Sequence, residues 1–353
     1  MKTLDWYLGR SILQTTGFAL LVLVGISTLI KFIEQLKYVG RGTYDVTTAG
    51  LYTLYSIPGD VVTFFPMATL IGGLTGLGAL ASNSELVVMQ AAGMSRFAII
   101  RSVMKTALFM ALCVMAMGEW GVPEAQKQAK ELRTFAISGG NVFNARQGVW
   151  AKDGDVFLNI DNVDESGRLD GLKMYRFNKE LDLIEVTNAQ SATSHSQGWM
   201  LKGVNQLSLG DVVTSKQFDE QLYLSNLTPD KLGIVSLKAE SLSFSGLIGY
   251  LDYLEKNDQD SSTYELALWR KLMQPVSIGV MLLVALSYIF GPLRSVTMGA
   301  RIVMGVVTGI VFHLSDKIFG PIVLVYELPA FVGATFPSVI FIAFSVYLIN
   351  KRS

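Results

Sequence analysis

Six apolar runs, each near the roughly 20 residues that a helix needs to cross a bilayer, punctuate the chain at residues 11–33, 57–81, 97–118, 268–290, 302–324 and 330–349. Three end before residue 120 and three begin after residue 265, so the pattern predicts two groups of three membrane-spanning helices. Lys2 and Arg10 precede the first run, as in a signal peptide. Its apolar stretch is too long for one, however, and no small-x-small cleavage site precedes "IKFIEQ", so it is read as a retained helix.

Between the two groups the period changes from helical to alternating. "GVWAK", "DVFLNI", "GLKMYRFN", "LDLIEVTNAQSATS", "GWMLKGVNQLSL" and "DVVTSKQFDEQLYL" are separated by turn-rich pieces such as "KDGD", "DESGR" and "SHSQG". Such spacing predicts an all-β sandwich, jelly roll or partly open barrel. Helical spacing returns in "SLSFSGLIGYLDYLEKNDQ", where Leu247, Tyr250, Leu251 and Leu254 share a side expected to lie along the outer membrane boundary. The expected protein is thus an integral membrane α-helical protein with six transmembrane helices and an inserted all-β, jelly-roll-like domain. Residues 1–118 would hold helices one to three with a short cytoplasmic helix at about 83–94, residues 119–262 the β domain and its interfacial helix, and residues 263–353 helices four to six.

Charge orients this plan. With both termini in the cytoplasm, every short inner segment is basic: Lys2 and Arg10, then Arg96, Arg101 and Lys105, then Arg294 and Arg301, then Lys351 and Arg352. The outer turn "VYELP" has no Lys or Arg, and the β domain falls outside the cytoplasm. One stretch breaks the rule: "STLIKFIEQLKYVGRG" places Lys31, Lys37 and Arg41 on the outer side. Snorkelling of Lys31 with a local pairing to Glu34 is one explanation. A docking place for an anionic lipid headgroup is the other, each basic residue adding about 1 kcal/mol near an anionic surface.

Composition narrows the chemistry. Half of the 353 residues are hydrophobic, 16% are charged and the formal net charge is zero, which fits an integral membrane protein and gives no nucleic-acid footprint. A lone cysteine, Cys113, and two histidines, His195 and His313, exclude an intrachain disulfide and a multi-Cys or multi-His metal site. No Gly-Lys dipeptide exists, so no Walker A loop does, and HExxH, GxSxG and GxGxxG are absent. The expectation is a transport subunit that binds no cofactor and draws on a partner for energy.

Three further features are candidates. In "ASNSELVVMQAAGMSRF", Ser82 and Glu85 have capping-box spacing and Gly93 is a plausible stop, defining a short helix unusually apolar for a cytoplasmic loop. Either its apolar residues rest on the spans, or Glu85, Leu86 and Met89 dock into a soluble ATP-hydrolysing partner. His313, Asp316 and Lys317 in the fifth span form either a proton or ion site or an internally satisfied cluster. Gly72 with Gly76, and Gly305 with Gly309, are small-xxx-small faces suited to helix packing. In the β domain Phe157, Phe177, Trp199 and Leu201 either fill a core or line a slot for an acyl chain.

"SELVVMQAAGMS", "GEWGVPEAQ", "QGVWAKDG", "LTPDKLG" and "SYIFGPLRS", in this order and topology, resemble the LptF/LptG family of lipopolysaccharide export permeases, with the LptG branch the nearer one. The resemblance runs from the first span to the last. It implies an inner-membrane permease subunit of an ABC transporter that extracts lipopolysaccharide from the periplasmic leaflet. It also implies a heterodimer with an LptF-like paralogue, an LptB ATPase dimer that binds ATP and Mg, and LptC, with LptA beyond it. The Glu85 helix resembles the family's coupling helix, Lys31 and Lys37 fall where the family places cations near lipid A phosphates, and Tyr38 takes a position that is basic in some relatives. Two other classes compete: a proton-coupled secondary transporter relying on Asp316, and a lipoprotein-release-type permease, whose usual subunit has four spans.

Overall fold

The computed structural model describes residues 2–138, 149–163, 168–178, 180, 182–195, 198–210, 212–225, 227, 239–291 and 296–350. Arg294, Lys351 and Arg352, which carry part of the charge asymmetry, and most of "LTPDKLG" lie outside them. Nine α-helices are found among the described residues: α1 (Lys2–Leu36), α2 (Val46–Ser82), α3 (Glu85–Ala91), α4 (Arg96–Ala116), α5 (Val122–Ser138), α6 (Phe244–Lys256), α7 (Ser262–Phe290), α8 (Met298–Val325) and α9 (Ala330–Asn350). Six helical stretches are long and apolar enough to cross a membrane, with α4 and α5 counting as one. That number separates the chain from the four-span alternative.

Three helical segments depart from the expected plan. α2 begins at Val46 rather than near residue 57, because Asp45 caps it: its carboxylate accepts the Thr48 amide at 2.7 Å. At 35 and 37 residues, α1 and α2 are each about 50 Å long against a hydrocarbon core of roughly 30 Å, so both project well beyond it. The third span does not stop at 118. Pro123 has no N–H to give the Glu119 carbonyl, the ladder slips by one residue at Met117–Gly121, and the Val122 amide reaches back to the Met117 carbonyl. The helix then continues as α5 to Ser138, so residues 119–138, expected in the β domain, are an extension of the third span.

Strands β1 (Val149–Asp153), β2 (Val156–Val163), β3 (Leu169–Phe177), β4 (Leu183–His195), β5 (Gly198–Ser208) and β6 (Thr214–Leu224) form one antiparallel sheet in consecutive order. The domain is all-β as expected, and the described strands run up and down without a crossover. One face carries Leu158, Ile160, Leu172, Trp199 and Leu201, all nearly inaccessible. α6 covers that face, contributing Tyr250, Tyr253 and Leu254. Its apolar side therefore meets the sheet instead of the membrane boundary, and Tyr253 takes the place expected of Leu251, which is only half-buried. Trp199 is a core residue whose indole N–H donates to the Leu227 carbonyl at 2.8 Å, whereas Phe157 and Phe177 meet edge to face. The sheet is stitched to α6 at one end: Lys152 Nζ donates to the Asn257 carbonyl, and the Gly154 amide to the Asn257 side chain. At the other end Glu119 accepts the Phe244 amide at 2.6 Å, placing a carboxylate at the start of α6.

The membrane bundle packs around α2 and α7. A Cβ at Gly72 would lie 2.3 Å from the Thr16 hydroxyl, and one at Gly76 2.7 Å from that of Thr15, so α1 and α2 meet backbone to backbone there. Gly305 and Gly309 similarly admit Leu74 and Met67 of α2 against α8. Pro66 leaves the Val62 carbonyl without its helical donor, and Gln274 of α7 supplies one at 3.0 Å. α2 and α7 bury 61% and 56% of their most apolar windows, whereas α1 and α8 bury only 17% and 22%. The unfinished apolar surface of the bundle is thus on α1 and α8.

Candidate functional site

The three cations of the opening stretch do not share one environment. Lys31 on α1 forms an ion pair with Asp60 of α2, Nζ to Oδ1 at 2.5 Å, and the other Asp60 oxygen accepts the Ser27 hydroxyl at 3.0 Å. Asp60 is buried, while the Lys31 side chain is one-third exposed. Lys31 thus pairs with a carboxylate 29 positions away rather than with Glu34 on its own helix. The sequence did hold the signal: a lone Asp in "SIPGDVV" amid apolar residues needs a partner.

Lys37 and Arg41 are exposed. Arg133 joins them from α5, a helix where the sequence pattern alone predicts the β domain. Its guanidinium carbon lies 4.1 Å from the centre of the Tyr38 ring, that of Arg41 5.1 Å from the same ring. Among the described residues no ion pair links Lys37, Arg41 or Arg133 to a carboxylate. The loop that carries them is held to α5: Thr43 donates from both its amide and its hydroxyl to the Ala136 carbonyl. Gly42, at φ 58°, permits the approach, since a Cβ there would lie 2.5 Å from that oxygen. Helical spacing of Lys127, Lys130 and Arg133 in "VPEAQKQAKELRTF" was the readable sign of α5.

At the opposite end of α2, the seven residues of α3 follow a turn at Ser84, which is left-handed (φ 61°). The expected capping box does not form: Ser82 ends α2 and its hydroxyl donates to the Gly78 carbonyl. Gly93, at φ 94°, does stop the helix. Its amide and that of Met94 return to the Gln90 and Met89 carbonyls. Leu86 and Met89, expected on the face offered to a partner, point the other way and are buried in the chain's own core. The exposed side instead shows Val87 and Val88. Glu85 accepts the Tyr7 hydroxyl of α1 at 2.8 Å.

His313, Asp316 and Lys317 line a cavity of about 170 Å³ together with Arg270 and Lys271 of α7. Arg270 Nε lies 3.8 Å from the Asp316 carboxylate, and the same guanidinium donates to the Asp316 backbone carbonyl. His313 stacks on Phe64 with ring centres 6.0 Å apart. Asp316 therefore has an ionic partner on a neighbouring helix, Arg270, which periodicity alone did not single out. Among the described residues no group of His, Cys, Asp or Glu has the arrangement of a metal site.

A six-span bundle with open apolar faces, a cationic rim at one end and a short, partly exposed helix at the other defines a membrane permease subunit with an inserted β domain. The comparisons specify which one. The family model described as lipopolysaccharide export system permease LptF/LptG matches residues 6–351, and the chain belongs to that family. It is 46% identical over 357 residues to lipopolysaccharide export system permease protein LptG of Haemophilus influenzae, covering 100% of this chain and 99% of the relative. With LptG of Escherichia coli K12 it shares 46% over 354 residues, 99% and 98% of the two chains. LptF of the same organism is more distant, 25% identical over 162 residues, 45% and 44% of the chains. The chain is a multi-pass inner-membrane protein, more similar to these LptG relatives than to LptF.

Proposed function

We propose that this chain is the LptG-type permease half of an ABC transporter that extracts lipopolysaccharide from the periplasmic leaflet, with both termini cytoplasmic and the β domain periplasmic. The single observation that carries the lipid-binding reading is the rim of Lys37, Arg41 and Arg133, whose cations face no carboxylate among the described residues. A phosphorylated glycolipid headgroup supplies the missing negative charge. Lys31, held by Asp60, keeps the rim in place and offers its remaining donors to the same headgroup.

The open apolar faces of α1 and α8 favour a cavity shared with an LptF-type paralogue, the acyl chains lying against those helices. α3 offers Val87 and Val88 to an LptB-type ATPase, while Leu86 and Met89 grip the bundle so that force on α3 is passed to it. ATP and Mg belong to that ATPase, and this chain catalyses no reaction of its own. LptC and LptA are the further partners toward which lipid moves past the β domain. Photocrosslinking groups placed at Lys37 and Arg133 in the assembled complex should capture lipopolysaccharide, and triple neutralisation of Lys37, Arg41 and Arg133 should abolish capture from a neighbouring position such as Val39. Undiminished capture after neutralisation would remove the basis of the reading.

A further inference from the structure

Arg301 belongs by sequence to the basic residues of a cytoplasmic loop, yet it lies in the first turn of α8 and is only 1% exposed. Its Nη1 donates to the Gly78 carbonyl and, at 2.9 Å, to the Ser82 hydroxyl, both near the C-terminal end of α2. The Ser82 hydroxyl in turn donates to that same carbonyl. The carbonyl end of a helix favours a cation, and the last turn of α2 contains none. Arg301 provides one from another helix. Gly78 makes the space, since a Cβ there would lie 2.9 Å from Nη1 and 3.0 Å from Cδ. A leucine could fill such a place without desolvating a charge, so a buried guanidinium here argues for a defined geometry rather than for stability.

Only Asn83 and Ser84 separate this contact from α3. We propose that Arg301 is a positioning residue that latches the first turn of α8 to the end of α2, so that displacement of α3 moves α8 together with α2. The proposal rests on the reading of α3 as the ATPase contact. α8 bears the open apolar face of Val303, Val307 and Val311, and a latch at its root converts a push at α3 into a tilt of that face.

The test uses the complete complex, with partner permease and ATPase, reconstituted in vesicles containing lipopolysaccharide. Arg301→Met removes the charge, Arg301→Lys retains it, and Gly78→Ala leaves Arg301 in place but crowds its guanidinium. Gly78→Ala carries the test if Arg301→Met prevents assembly. The expected result is that ATP is still hydrolysed while lipopolysaccharide delivered per ATP falls at least fivefold in Arg301→Met and Gly78→Ala, with partial recovery in Arg301→Lys. A spin label at Val303→Cys, in a Cys113→Ser background, should lose its ATP-dependent change in the same variants. Unchanged delivery per ATP, or an unchanged label response, overturns the latch. Val88→Glu tests the α3 reading separately: normal ATPase binding by that variant defeats the reading of α3 whatever the Arg301 variants show.

Discussion

Lys31 and Asp60 show how one contact can serve two ends, and substitution separates them. Lys31→Met leaves a buried carboxylate unpaired, which should cost about 2–3 kcal/mol and lower the melting temperature of the purified complex. The double change Lys31→Met with Asp60→Leu should restore that temperature without restoring lipopolysaccharide binding, both read on the same preparation. At Lys37 and Arg133 no such compensation is needed, because neither is paired with a carboxylate among the described residues. Each alanine variant should weaken lipopolysaccharide binding about fivefold, corresponding to roughly 1 kcal/mol per lost cation, with stability unchanged in Lys37→Ala and lowered by about 0.5–1 kcal/mol in Arg133→Ala, which also loses its contact with the Tyr38 ring. The residues themselves were visible in the sequence where they broke the charge rule, as Lys31, Lys37 and Arg41 did. Arg133 and Arg270 were not, since each gains its meaning from a partner on another helix, and the lone Asp60 showed that a partner was needed without showing which.

α3 and α6 were both legible as short helices; the apolar face of α6 was legible too, through Leu247, Tyr250 and Leu254, but not that it covers the sheet, and the inward face of α3 was not legible at all. Four consecutive apolar residues in α3 give no period to choose between sides, and the bundle decides: Leu86 and Met89 go in, Val87 and Val88 stay out. Leu86→Ala should therefore cost about 2–5 kcal/mol of bundle stability, seen as a lowered melting temperature. Val88→Glu should leave that temperature within a degree or two yet prevent copurification of the ATPase. In α6, burial against the sheet pushes the Tyr253 hydroxyl up to about 12 from its ordinary 10. The neutral phenol is favoured in the folded domain, so this stabilisation is complete below pH 10 and is lost as pH rises through 12. Denaturant titrations between those values should show the β domain weakening with pH, and Tyr253→Phe should reduce that dependence without abolishing it, because burial also raises Tyr223 and Tyr250 of the same core.

For the molecule as a whole, the uneven burial of the spans predicts where the partner permease sits. In a Cys113→Ser background, single cysteines at Leu29 of α1 or Val311 of α8 should crosslink to the partner chain, whereas one at Leu70 of α2, fully buried in the bundle, should not. The sequence by itself determined the order of spans, the inserted β domain and the anomalous cations, because hydropathy, alternation and charge act locally along the chain. Only the tertiary structure decided that the third span runs on to Ser138, that α6 lies on the sheet, that Lys31 answers Asp60 and that Arg301 reaches the end of α2. Those outcomes depend on which distant groups must satisfy one another once water is excluded, and no local pattern carries that information.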